Sequence, residues 1–229
     1  METIETSIKQ RIEELLNEEI KDFSPKASGY CNVAYFVETQ SGEQYIVKVA
    51  KEQREIEEQN TLPVEGRLVE RLSRLDLPIP VADVVFVSEE PSMYGYRYIE
   101  GEPMISVWQS LQEEDRQRIC HQLGQFHAAI GKKFSKQDAE TSNLTIDPST
   151  GLHPEVSKEC DDILGAKDIP DDWKELAERA KAVFETTHDS VVFQFIHNDA
   201  HHENVLIREK QIVGIIDFGD AEYGEIAKE

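Results

Sequence analysis

Cysteine is scarce in this chain of 229 residues: Cys31, Cys120 and Cys160 are odd in number and far apart. That spacing offers neither a disulfide framework nor paired metal ligands, and it suits a reducing cytoplasm. Long apolar runs are also missing. No stretch of about 18 apolar residues could cross a membrane, and METIETSIKQ lacks the basic-then-apolar order of a signal peptide. These absences predict a soluble, cytoplasmic protein without a membrane partner. Positive charge is in short supply, with 24 Lys and Arg against 46 Asp and Glu, a formal net charge of -22. Nucleic acid is therefore disfavoured as a partner, because its phosphates would be repelled. A cationic ligand is favoured, although acids that only keep the surface soluble would give the same excess. No repeat of fixed period and no low-complexity tract breaks the chain, so one continuous unit is the simplest organisation.

What is present can bury a core, since 39% of the residues are hydrophobic. Ile4, Ile8, Ile12, Leu15, Leu16 and Ile20 fall at helical spacing and predict an amphipathic helix. Ser24-Pro25 and Ser28-Gly29 read as a loop. Residues 31–38 and 44–50 read as a hairpin about the turn Gln40-Ser41-Gly42. A helix starts near Thr61 and Pro63 and carries Leu62, Val64, Leu68, Val69, Leu72 and Leu75. Leu77-Pro78-Ile79-Pro80 stops it, and residues 81–87 and 94–99 read as two more strands. Glu100-Gly101-Glu102-Pro103 then marks a boundary between lobes, 1–99 and 100–229. Beyond it, 105–111 and 113–130 read as helical, with His121 and His127 as ordinary hydrogen-bonded histidines. Residues 132–152 read as a long polar loop, and Trp173, Leu176, Ala177, Ala180, Val183 and Phe184 as a further amphipathic helix.

Chemistry concentrates in FIHNDAHHENVLIREKQIVGIIDFG, residues 195–219. Three β-type runs, 191–196, 204–207 and 211–216, bracket two polar points, 197–203 and 217–220. The expectation is one small sheet from which two acidic loops emerge side by side, a layout that suits metal and phosphate. Phosphoryl transfer needs an acid facing the accepting hydroxyl, oxygen ligands for Mg2+ and a cation against the nucleotide phosphates. Asp199 is the candidate acid, and Asn204, five positions on, supplies an amide oxygen. Asp217, at a strand end, is a hard oxygen ligand of the kind Mg2+ prefers. Lys48, inside the apolar strand YIVKVA, is the candidate cation; it needs an anionic partner or a route by which its stem snorkels to solvent. Glu65, in the first turns of the following helix, can point back towards it. A zinc site from His197, His201 and His202 is a rival, but it leaves Asp217 and Lys48 unexplained.

HNDAHHEN resembles the H-x-D-x-x-x-x-N catalytic loop, and IIDFGDA the D-F-G metal loop, of the protein-kinase-like superfamily. In this order, with the two aspartates 18 positions apart, they most resemble the aminoglycoside phosphotransferase family, in particular its 2''-phosphotransferase branch. The resemblance runs from about residue 24 to 229. It implies an α+β, protein-kinase-like two-lobed fold, with a small, mostly antiparallel β N-lobe carrying one helix and a larger, mainly helical C-lobe. It implies Mg2+ and either ATP or GTP as co-substrate, with the γ-phosphoryl group passing to a hydroxyl of an aminoglycoside or similar cationic acceptor. Asp199 is then implied as catalytic base, Asn204 and Asp217 as metal ligands, and Lys48 as the residue on the nucleotide phosphates. Glu65 is implied as its ion-pair partner, with Glu57, Glu58 and Glu70 competing. Arg97, Tyr98 and Ile99 fall in the hinge that meets the purine through backbone groups, while His197 and Gly219 are structural members of the two loops.

Two departures carry expectations of their own. No G-x-G-x-x-G is present; Ser28-Gly29-Tyr30 and nearby Asn32 stand there instead, leaving Gly29 and Asn32 as the candidates for phosphate contact. The sequence stops at Glu229, where the family's C-terminal helices would follow. That predicts exposed apolar surface, a monomer or weak dimer, and nucleotide binding that outlasts transfer. Asp161, Asp162, Asp171 and Asp172 are expected to form an acidic cluster near the cleft. Choline-type and other small-molecule kinases also use H-N-D loops and acidic pockets. A nucleotide-binding scaffold without transfer activity is the non-enzymatic alternative.

Overall fold

The computed structural model describes residues 4–29, 31–51, 61–147, 154–167, 169–186 and 192–225. Helix α1 (Ile4–Leu16) ends short of Ile20, because Asn17 takes the left-handed conformation at φ 54 and turns the chain into β1 (Ile20–Ser28). The loop expected at Ser24-Pro25 is therefore a strand. Proline is tolerated there because β1 is an edge strand, with a register irregularity between Pro25 and Ala27. Strands β2 (Asn32–Thr39) and β3 (Gln44–Ala50) form the expected hairpin. Helix α2 (Leu62–Ser73) follows, then β4 (Val84–Ser88) and β5 (Met93–Arg97). These five strands make one antiparallel sheet in the order β1-β2-β3-β5-β4.

Strand alternation divides this sheet's two faces. Tyr45, Val47 and Val49 of β3 pack with Tyr35, Val37 and Met93 under Ile12 of α1. Ile46 faces the other way, with Tyr94 and Tyr96 of β5 and with Leu68, Val69 and Leu72 of α2. Lys48 shares that second face by its parity. Helix α2 lies so near β5 that a Cβ on Gly66 would stand 2.8 Å from Tyr94 Cβ.

The second half begins with β6 (Glu102–Pro103) and α3 (Met104–Val107), then a 3-10 turn at Trp108–Ser110 in place of one longer helix. Helix α4 (Glu113–Lys133) buries Ile119, Phe126 and Ile130. The expected loop over 132–152 contains α5 (Lys136–Ser142), which a Ser135–Asp138 capping box opens and left-handed Asn143 closes. Its polar residues cap a helix. Helices α6 (Pro154–Gly165) and α7 (Asp171–Thr186) pack on each other. Ala177 is buried, but Trp173 and Leu176 are 58% and 60% exposed; the side chains of Val183 and Phe184 lie outside the described residues.

Strands β7 (Phe193–Ile196), β8 (Val205–Arg208), β9 (Gln211–Ile215) and β10 (Glu222–Glu225) complete the chain. They correct the expectation of one small sheet. β8 and β9 join β6, while β7 pairs with β10, so the two polar loops run between two small sheets. One apolar core continues from α2 and β5 through Phe126, Phe134, Phe195 and Phe218. The whole is the expected α+β arrangement. Among the described residues no helix is long and apolar enough to cross a membrane.

Candidate active site

A cavity of about 800 Å³ opens between the five-stranded sheet and the later half, lined by Lys48, Glu65, Asp199, Asn204, Asp217 and Asp220 among others. Four of the chain's elements and loops contribute these six groups. Lys48 comes from the middle of β3, where Val47 and Val49 face the α1 side and strand alternation sends it to the cavity side. Its ammonium donates to both oxygens of Glu65 at 2.8 Å and to Asp217 Oδ1 at 2.9 Å. The lysine has an anionic partner and does not snorkel.

Glu65 is fully buried in the first turn of α2. Besides Lys48, its Oε1 accepts from the Tyr94 hydroxyl at 2.8 Å and from the Phe218 amide at 3.0 Å. This settles which acid partners Lys48: Glu70 pairs instead with Arg74 on the outside of α2, and Glu57 and Glu58 lie outside the described residues. Burial alone would lower the Lys48 pKa, but the Glu65 and Asp217 carboxylates outweigh it and hold the ammonium charged. Burial raises the Glu65 carboxyl, and Lys48 opposes that rise.

Asp217 begins the second polar loop in a left-handed conformation, φ 65, which a non-glycine residue adopts only where its surroundings hold it. Buried Phe218 anchors the loop and packs at a tilt on the His197 ring, 4.4 Å between centroids. The charge of Lys48 keeps the Asp217 carboxyl below its usual range. Gly219 also lines the cavity.

His197 joins the two loops. It is fully buried, its Nε2 stands 3.2 Å from the Ile216 carbonyl oxygen, and its Nδ1 accepts from the Asp199 amide at 3.3 Å. Those partners require the neutral tautomer with hydrogen on Nε2. Asn198 between them is left-handed at φ 64. Asn204 Nδ2 donates to the Asp199 carbonyl and to Asp199 Oδ2, each at 2.9 Å, and so turns its own amide oxygen away from that carboxylate. His201 Nε2 stands 3.5 Å from Asp199 Oδ1, and the His201 and His202 rings meet edge-on, 5.7 Å between centroids. Among the described residues no group of three or more His, Cys, Asp or Glu is placed to hold a metal, so nothing supports the zinc reading.

The residues expected on the nucleotide side divide. Gly29, Asn32, Tyr98 and Ile99 line the cavity, and Lys51 donates to the Gly29 carbonyl at 2.6 Å; Tyr30 lies outside the described residues. Arg97 is not brought to the cavity. Its guanidinium pairs with Glu43 and, at 3.3 Å, with Asp83. The Arg97 and Tyr98 amides are already committed to the carbonyls of Asp83 and Gln44, both at 2.9 Å. Asp161, Asp162, Asp171 and Asp172 are exposed on α6 and α7, and none lines the cavity.

Three groups at or behind the cavity escaped the sequence reading. Tyr96 lines it and Tyr94 stands behind it on Glu65; both could have been found from the parity of β5 against β3, had that pairing been known. Asp220 was visible as the acid following D-F-G. Its pKa is raised, first by burial and then by the neighbouring charges of Asp199 and Asp217.

Residues 22–229 match the family model of the phosphotransferase enzyme family. No curated protein matches in sequence. Among solved structures, the streptomycin–ATP–APH(2")-IIa ternary complex superposes with a TM-score of 0.64 at 19% identity, over 98% of this chain and 75% of that one. The GDP and kanamycin complex of APH(2")-IIIa gives 0.67 at 18%, over 95% and 74%. Macrolide 2'-phosphotransferase MphH from Brachybacterium faecium gives 0.68 at 15%, over 98% and 74%. The chain thus spans about three quarters of each of these relatives.

Proposed function

The chain belongs to the phosphotransferase enzyme family, kinase-like in fold, and on that premise we propose that it passes the γ-phosphoryl group of ATP or GTP to a hydroxyl of an aminoglycoside or similar cationic small molecule. One observation carries the reading. Lys48, held by Glu65 from its own lobe, meets Asp217 of the other at 2.9 Å, with Asp199 and Asn204 on the same cavity. A cation for phosphates, two oxygen ligands and a carboxylate base are then within one site. We place the lobe boundary at 99/100, just before β6.

Asp217 and Asn204 suit Mg2+, because each offers a hard oxygen and such sites take few protein ligands alongside phosphate oxygens. Mg2+, when bound, supplies charge neutralisation on the phosphates. Lys48 adds a fixed positive charge on the nucleotide side, and Gly29 and Asn32 border the phosphates. Tyr98 and Ile99 border the purine. Asp199, kept in place by Asn204 Nδ2 and the His197 ring, takes the proton of the acceptor hydroxyl as its oxygen bonds to the γ-phosphorus. The bond from that phosphorus to the bridging oxygen breaks, leaving the nucleoside diphosphate. A cationic acceptor is favoured by Asp220, whose carboxylate carries the repulsion of Asp199 and Asp217.

The test is nucleotide turnover with Mg2+ against kanamycin, gentamicin, streptomycin, a macrolide and choline. Stimulation of the wild type by one acceptor and its loss in Asp199→Asn support the proposal. Nucleotide binding without stimulation by any acceptor favours the scaffold reading, and stimulation by choline alone the choline-type one. Equal activity in Asp199→Asn removes Asp199 as base. The macrolide belongs in the panel because a macrolide 2'-phosphotransferase superposes as well as the aminoglycoside complexes do.

A further inference from the structure

Glu65 is useful to Lys48 only if α2 keeps its position, and α2 has a weak point. Thr61 at its N-terminus makes no side-chain cap hydrogen bond. Its apolar residues belong to the core that continues into the half carrying Asp199 and Asp217, and Glu65 itself accepts from the Phe218 amide, but these contacts hold the N-terminal part and one face of the helix. A polar tie to that half stands near its other end. Arg71 donates from Nε at 2.8 Å and from Nη2 at 2.5 Å to Asp138 Oδ1 on α5.

Most exposed ion pairs contribute little, because two long side chains must be ordered for a screened attraction. This pair differs in its anionic half. The Asp138 side chain is only 13% exposed. Its other oxygen, Oδ2, accepts from the Ser135 amide at 2.8 Å and the Ser135 hydroxyl at 2.7 Å. The carboxylate is therefore ordered by the capping box before Arg71 arrives, and the pairing costs the entropy of one side chain rather than two. Lys133 and Asp76 also pair across the same gap, but both are exposed and make the natural control.

We propose that Arg71 and Asp138 are positioning residues for nucleotide binding, a latch that fixes α2 against α5 and so holds Glu65 where it orients Lys48 towards Asp217. The inference rests on the reading of Lys48 and Glu65 as nucleotide-side machinery. With the latch released, only the shared apolar core and the Glu65–Phe218 hydrogen bond set the place of α2 against the second half, and a displacement of about 1 Å suffices to misplace a charge network of this kind.

The experiment is a double-mutant cycle on the Kd for MgATP and for MgGTP, read by calorimetry on the full chain. Arg71→Leu weakens the tighter-binding nucleotide about fivefold, the range of couplings carried through packed elements. Arg71→Lys, which keeps one donor, recovers most of that loss, and Lys133→Met changes nothing. In a Glu65→Gln background, Arg71→Leu has no further effect, because it acts through Glu65. A purely structural ion pair would move the Tm of both backgrounds alike and leave the Kd values additive. If Arg71→Leu binds like wild type, or the two losses add, the latch is overturned alone. If wild type binds neither nucleotide, or Glu65→Gln binds as well as wild type, the underlying reading falls and the latch with it.

Discussion

Lys48 Nζ and Asp217 Oδ1, 169 positions apart in sequence, stand 2.9 Å apart across the cavity. The residue proposed for phosphate and the residue proposed for metal thus pair with one another before any ligand arrives, and Glu65 shares the same ammonium from beneath, so two carboxylates surround one cation. A nucleotide with its metal would bring both an anion and a cation to this pair, so both partners can be re-engaged without leaving either charge bare.

Removing the cation tests that arrangement. Lys48→Met leaves the buried Glu65 carboxylate with no counter-charge, a change that typically costs about 3 kcal/mol of folding stability. Lys48→Met combined with Glu65→Leu removes the bare buried carboxylate but strands the Tyr94 hydroxyl and the Phe218 amide, so it should regain only part of the loss. Urea unfolding of the three proteins measures this, and both variants should lose nucleotide affinity whatever their stability.

Asp220 predicts a pH dependence of opposite character to that of a paired acid. Burial, then the charges of Asp199 and Asp217, raise its folded pKa above its unfolded value. Folding is therefore penalised once pH rises through the folded pKa, and the penalty vanishes below the unfolded value of about 3.9. Asp220→Asn should raise the Tm at pH 8, with the gain shrinking towards pH 4. The same variant should weaken a cationic acceptor more than it weakens nucleotide, as their separate KM values would report.

Legibility followed chemistry. Asp199, Asn204 and Asp217, singled out because phosphoryl transfer restricts which side chains can serve and at what separations, are brought to one cavity. Lys48 stood out because a charge inside an apolar strand demands a partner. Glu65 and Glu70 lie on the same short helix, and only the approach of α2 to β5 shows which of them is buried against Lys48. Strand β1 was hidden by Pro25, acceptable only at a sheet edge, and α5 by capping residues that are also loop residues. The Arg97 side chain, to which the sequence assigned no role beyond its backbone, is turned towards Glu43 and away from the cavity by strand parity, set by the register of β3 against β5.

That approach of α2 to β5 can be probed directly. A methyl group at Gly66 would lie 2.8 Å from Tyr94 Cβ, which cannot rotate away because it belongs to the strand. Gly66→Ala should cost about 1–3 kcal/mol through overpacking. Because Tyr94 and Glu65 share a hydrogen bond, nucleotide affinity should fall with it. A Tm unchanged from wild type would mean that the helix sits farther from β5.

His197 offers the sharpest separation of positioning from binding. Its ring spans the two loops, accepting from the Asp199 amide and donating to the Ile216 carbonyl, yet it does not line the cavity. His197→Leu fills much of the same volume and strands both backbone groups, each worth roughly 1–3 kcal/mol when buried without a partner. The loop bearing Asp199 then loses its fixed distance from the loop bearing Asp217. Since the proposed function puts the nucleotide on Lys48 and the hinge rather than on Asp199, its Kd should change less than about twofold. Turnover with the responsive acceptor should fall about 10- to 100-fold, the cost of a base misplaced by a fraction of an ångström to an ångström. Single-turnover rates set beside calorimetric Kd values check this, and a parallel loss in both would assign His197 to the integrity of the whole cleft instead.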